Sequence, residues 1–152
     1  MLGLLNDVWR YQVDEGLWIW INGFSSVGDK GIYGEKGVSN STNMPGGRIF
    51  VVGAYDSATR DLWVFGGLGC DAWGNIGQLN DLWKFNINNN IWTWISGNAT
   101  ISKPGFYGEK GIPSPDNVPG AREAAVGWYN PYKNELWLFG GIGFGNDSNS
   151  GM

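Results

Sequence analysis

Short apolar and aromatic runs, broken every few residues by Gly, Asn, Asp and Ser, dominate the chain. Leu5-Asn6-Asp7-Val8-Trp9-Arg10-Tyr11 is followed, after the polar segment Gln12–Gly16, by Trp18-Ile19-Trp20-Ile21. Leu79-Asn80-Asp81-Leu82-Trp83-Lys84-Phe85 is followed in the same way, after Asn86–Asn90, by Trp92-Thr93-Trp94-Ile95. Two runs of strand length joined by polar turn residues predict a β-hairpin at each place. Ile49–Tyr55 with Leu62–Phe65, and Glu123–Tyr129 with Leu136–Phe139, predict a second kind of hairpin. Its turns, Asp56–Asp61 and Asn130–Glu135, carry the Asp, Asn, Ser and Pro that turns favour. No segment has helical periodicity.

These elements recur. Asn6 returns as Asn80 and Trp18 as Trp92, an internal repeat of about 74 residues. The long polar loops repeat too: Tyr33-Gly34-Glu35-Lys36-Gly37 returns as Tyr107-Gly108-Glu109-Lys110-Gly111, and Asn43–Arg48 as Asn117–Arg122. Loops of this length rarely lack structure in compact domains. Asn22–Gly47 and Ser96–Ala121 are therefore expected to hold fixed conformations, with glycines at positive φ. Leu68–Gln78 is expected to be a Gly-rich connection leading into the next hairpin. The repeat frame divides residues 1–152 into an outer hairpin at 5–21, a complete four-strand unit at 48–95 and an inner hairpin at 122–141.

Four-stranded antiparallel units at a fixed period are the sequence sign of a β-propeller. A Gly-Gly pair closes one strand at 66–67 and 140–141. A Tyr or Phe follows in the next strand with a Trp seven positions later, as in Tyr11/Trp18 and Phe85/Trp92. This arrangement resembles the kelch repeat over nearly the whole chain. The resemblance implies an all-β fold of kelch-type β-propeller blades, each of four antiparallel strands. About two blades' worth of chain is present, one complete and two half-blades. It also implies that Ile49–Tyr55 is the innermost strand, Leu62–Phe65 the second, Asn80–Phe85 the third and Ile91–Ile95 the outermost. Ordinary kelch repeats are shorter, and the excess here lies in the two long loops.

Composition removes most chemistry. The chain has no histidine and one cysteine, Cys70. Ser-His-Asp and Cys-His catalysis, imidazole or thiolate zinc sites and an intrachain disulfide are all excluded. Cys70 is expected to be a partly buried small residue, with an interchain disulfide as the alternative. The net charge is −4 and the ten basic residues are scattered, so no nucleic-acid footprint is present. No apolar run is long enough to span a membrane, and no targeting signal lies in this stretch. A galactose-oxidase-like copper enzyme, which shares the kelch propeller, needs imidazole ligands and a cysteine-crosslinked tyrosine; any such active site would lie outside these residues. The expected protein is thus not an enzyme and uses no cofactor or metal. The run 145–151 offers oxygen ligands for calcium but lacks a regular Asp spacing.

Eight tryptophans form pairs one period apart: Trp9/Trp83, Trp18/Trp92, Trp20/Trp94 and Trp63/Trp137. They read as repeat core, since both faces of a blade pack on neighbouring blades. Asn6-Asp7 and Asn80-Asp81 read as strand-start acceptors for loop N–H groups. Arg48 and Arg122 read as pins for a loop carbonyl or acid, with ligand contact as the alternative. Trp73, unpaired and in a Gly-rich loop, is the best exposed contact residue. Tyr33, Glu35, Lys36, Tyr107, Glu109 and Lys110 are the other candidate contacts, with Glu35 and Glu109 also readable as loop anchors. Asn40, Asn98 and Asn146 begin the three N-glycosylation patterns, all in loops of one face. The reading that follows is a non-catalytic extracellular or cell-surface scaffold recognising protein or glycan through its long loops. The alternative is a self-assembling structural protein whose half-blades join chains into a ring or filament. The expected partners are further copies of the chain, or further repeats of a longer one.

Overall fold

The computed structural model describes residues 3–146 and the backbone of 150–151. Residues 147–149, which hold part of the calcium candidate and of the Asn146 glycosylation pattern, lie outside the described residues. The fold is all-β, with several small antiparallel sheets and no helix among the described residues. Strands β1 (Val8–Gln12) and β2 (Leu17–Asn22) form the first hairpin, with Tyr11 opposite Trp18 and Trp9 opposite Trp20.

The central sheet contains β3 (Arg48–Ile49), β4 (Val52–Asp56), β5 (Asp61–Cys70), β6 (Ile76–Asn86) and β7 (Ile91–Ser96). β3 and β4 lie in succession along one edge of β5; β6 takes its other edge and β7 pairs with β6. The sequence of neighbours that the resemblance implies, from 49–55 through 62–65 and 80–85 to 91–95, is present in one sheet, but two boundaries differ. The run 49–55 is split, because Phe50 turns to φ 54 and breaks the ladder between β3 and β4. Opposite that break, Gly66 and Gly67 adopt φ 61 and 94 and shift the β5–β6 register between Phe65 and Gly67. The two irregularities match. β5 bends at this bulge and continues to Cys70 instead of stopping at Phe65, so the connection expected over 68–78 shrinks to a turn at 71–75. Ala124 repeats the positive φ of Phe50, and β8 (Arg122–Glu123), β9 (Val126–Asn130), β10 (Glu135–Phe139) and β11 (Ile142–Phe144) repeat the split. β12 (Ser150–Gly151) pairs with β11.

The long loops gather at one end of the sheets. Gly31 N–H donates to Asp71 O and Ala72 N–H to Ala99 O, joining 22–47, the 71–75 turn and 96–121. The tight turns gather at the other end, where Ile87 N–H donates to Arg60 O. Within each loop one antiparallel bridge, Ile32–Met44 or Phe106–Val118, closes the chain on itself. Gly34, Gly37, Gly108 and Gly111 all have positive φ.

The core is built around Tyr33, Met44, Trp83, Phe85 and Trp92. Cys70 is buried, which pushes its thiol up from the ordinary value and leaves no exposed sulfur for an interchain bond. The second repeat packs against the central sheet through Val52 on Gly127, the Tyr129 hydroxyl donating to Asp56 at 3.0 Å and Gln78 Nε2 donating to Glu123 at 3.0 Å. Asp56 is held below the usual carboxylate range, first by the Thr59 hydroxyl.

Gly67→Ala tests the bulge. A Cβ there would sit 2.5 Å from Ile49 O at a φ that L-residues avoid. Urea unfolding is expected to show a loss of about 1–3 kcal/mol; an unchanged midpoint would mean that the bulge tolerates relaxation.

Candidate functional site

Asp81 is completely buried and four side-chain donors converge on it. Arg48 forks onto both oxygens, Nη1 to Oδ1 at 2.8 Å and Nη2 to Oδ2 at 2.9 Å. The Tyr33 hydroxyl and Trp83 Nε1 both donate to Oδ2 at 2.7 Å. The arrangement follows from the fold: β6 carries Asp81 and Trp83, β3 carries Arg48, and the loop 22–47 delivers Tyr33. Arg48 also donates through Nε to Gly46 O and through Nη1 to Gly66 O, so the same guanidinium ties down the loop end and the bulge. Burial pushes the Tyr33 hydroxyl well above its ordinary value, and the Asp81 charge adds to the shift. Burial opposes the Arg48 charge, but Asp81 more than restores it.

These contacts place the sequence candidates. Tyr33 and the Arg48 side chain are largely buried and anchor the loop to Asp81. Lys36 donates to Gly97 O at 2.8 Å and lies 4.5 Å from the Trp94 ring centroid, clamping its loop over β7. Glu35, Glu109 and Lys110 are exposed. Tyr107 is exposed and its hydroxyl lies 3.4 Å from Arg122 Nη2. Trp83 and Trp92 are buried and Trp63 and Trp94 half-buried, whereas Trp9, Trp18, Trp20 and Trp137 are exposed. Asn80 does accept a loop N–H, from Asn98, as Asn6 does from Phe24. Asp81 instead serves side chains only. Arg48 pins a loop carbonyl and an acid as its place in the sequence suggests, but the sequence does not identify Asp81 as that acid or Tyr33 as its second partner, although Tyr, Arg and Asp all recur there at the same period.

One feature is presented outward. Asp71, buried at the start of the 71–75 turn, accepts the Trp73 and Asn75 N–H groups on Oδ1 at 2.8 and 2.9 Å. Its other oxygen takes the Asn75 side-chain amide and, at 3.4 Å, the Ile101 N–H. Burial alone would raise this carboxyl; the donated hydrogen bonds outweigh it and hold it below the usual range. The turn is therefore rigid, and it holds Trp73 at 76% exposure where the two long loops meet. Asn40, Asn98 and Asn146 are all exposed. No protein-family model matches the chain, and no curated protein matches it.

Arg48→Ala strands a buried carboxylate and is expected to cost about 3–5 kcal/mol in urea unfolding. Tyr33 sets an alkaline limit. Its hydroxyl stays neutral in the fold but ionises in the unfolded chain above the ordinary value of 10.0, so its contribution is complete below that pH and is lost as pH rises beyond it. Stability should fall more steeply between about pH 10 and 12 than it does in Tyr33→Phe; parallel curves would remove Tyr33 as the cause.

Proposed function

We propose that this chain is a segment of a kelch-type β-propeller and acts as a non-catalytic extracellular scaffold, recognising a protein or glycan through the face that carries its long loops. The repeated four-strand order, the Gly-Gly bulge and the Tyr-or-Phe to Trp spacing support the propeller reading. Trp73 carries the recognition reading. An exposed indole costs little extra ordering on binding when its backbone is already pinned by a buried carboxylate, and a flat apolar ring suits both a sugar face and an apolar side chain. Both neighbouring loops close on an antiparallel bridge, and the first is pinned further through Tyr33 and Lys36. The face is thus preorganised and lacks any histidine that would suggest chemistry there.

Trp73→Ala should weaken binding to an immobilised glycan panel or to a captured protein ligand by about 10-fold or more, with thermal stability unchanged. Binding that survives the substitution would refute Trp73 as the contact. The same panel separates glycan from protein recognition. Extracellular placement predicts glycan mass on Asn40, Asn98 and Asn146 in protein from its native source. Unmodified asparagines at all three positions would count against it.

A further inference from the structure

The two ends of the described chain carry the repeat counterparts of the two sides of the Arg48–Tyr33–Asp81 contact. Arg122 is already posed as Arg48 is, with Nε donating to Gly120 O at 3.0 Å and Nη1 to Gly140 O at 3.1 Å. Tyr107 stands beside it as Tyr33 stands beside Arg48. Among the described residues, however, no carboxylate reaches this pair. At the opposite end, Asp7 accepts Trp9 Nε1 at 2.6 Å, as Asp81 accepts Trp83 Nε1. Among the described residues neither an arginine nor a tyrosine reaches Asp7. One end holds the donors and the other holds the acceptor.

The surrounding surfaces agree. Val52 and Phe65 are 5% and 6% exposed beneath the second repeat, whereas their counterparts Val126 and Phe139 are 61% and 73% exposed. Val52 packs on Gly127, whose own counterpart Gly53 has open space around it. Gly66 is crowded by Arg122 O and Leu79 O, whereas Gly140, its counterpart, has open space as well. Lys36 and Tyr33 both pack on Trp94, and Lys36 also donates to Gly97 O; among the described residues no such ring pairs with Lys110 or Tyr107, while Trp20 is exposed. Finally, among the described residues β10 pairs on one side only, with β9, and β1 on one side only, with β2. β5 and β6 show how the free edges fit, antiparallel and continuous.

We infer that a second copy of this chain supplies the missing half, its β1 pairing with the free edge of β10 and its Asp7 entering between Arg122 and Tyr107. The occupant is specified by charge and shape together: an Asp two residues before a Trp on an open strand edge, which the chain itself carries. The contact joins unlike surfaces, so it closes into a ring when the rotation per copy suits and otherwise extends. It goes beyond loop-face recognition and does not depend on it, because none of these residues is Trp73.

The mass of the 152-residue chain in solution, measured by sedimentation from about 1 to about 100 µM, tests this. Oligomers growing with concentration are expected, and Asp7→Arg or Arg122→Asp alone should weaken association by about 10-fold or more. Mixing these two variants restores opposite charges at every junction and should recover association. Near-ultraviolet circular dichroism of the tryptophans checks that each variant is folded, and Tyr107→Ala provides a neutral third variant with the same expected loss. A chain that stays monomeric throughout would overturn the proposal and leave both faces to a further repeat of a longer polypeptide. Oligomers insensitive to all three substitutions, or variants that do not recover on mixing, would equally overturn it.

Discussion

A fully buried carboxylate must find donors, and Asp81 finds them in three separate parts of the chain. The loop contributes Tyr33, the edge strand β3 contributes Arg48, and β6, which carries Asp81 itself, contributes Trp83. Desolvating such a charge costs several kcal/mol, and the fork to Arg48 with two further hydrogen bonds roughly offsets it. The net gain in stability over an apolar replacement is therefore small. What the arrangement does is tie the 26-residue loop, 22–47, to the central sheet by carrying Tyr33 to the acid. Everything at the loop end of the central sheet inherits that placement.

The backbone at the bulge serves the same end. Phe50 and the Gly66–Gly67 pair turn the ladder at matching points, so β5 continues to Cys70 and carries the 71–75 turn up to the loops. Arg48 hydrogen-bonds Gly66 O, linking the bulge to the acid below it. Asp71 repeats the device on a smaller scale, fixing a turn by accepting backbone N–H groups. Buried aspartates thus set the shape of the loop face at two points, and the exposed Trp73 depends on both.

Packing between repeats shows how burial and sequence part company. Trp83 is inaccessible and Trp9, in nearly the same local sequence, is half exposed. The difference is the neighbour. Tyr33 packs on Trp83 at a tilt of 53° with centroids 4.9 Å apart, whereas no tyrosine of the described chain reaches Trp9, which stacks on Trp20. Large exposed rings at both ends of a repeat array are the expected consequence when each unit can bury its faces only against the next.

The sequence by itself determined the all-β class, the hairpins and the period, because alternating apolar runs and turn residues act over a few positions. It also placed the long loops together, since strand direction alternates, and it singled out Trp73 as unconstrained by the repeat. It could not determine that Arg48 and Tyr33 belong to Asp81. Those residues are 33 and 48 positions away, and only the crossing of β3, β6 and the loop makes them adjacent. Nor could it show that the strand at 49–55 breaks at Phe50, a conformation that phenylalanine adopts only when the facing glycines bend with it. Tertiary structure decided which tryptophans lie inside. Burial is a property of what packs alongside, and identical residues in successive repeats have different neighbours.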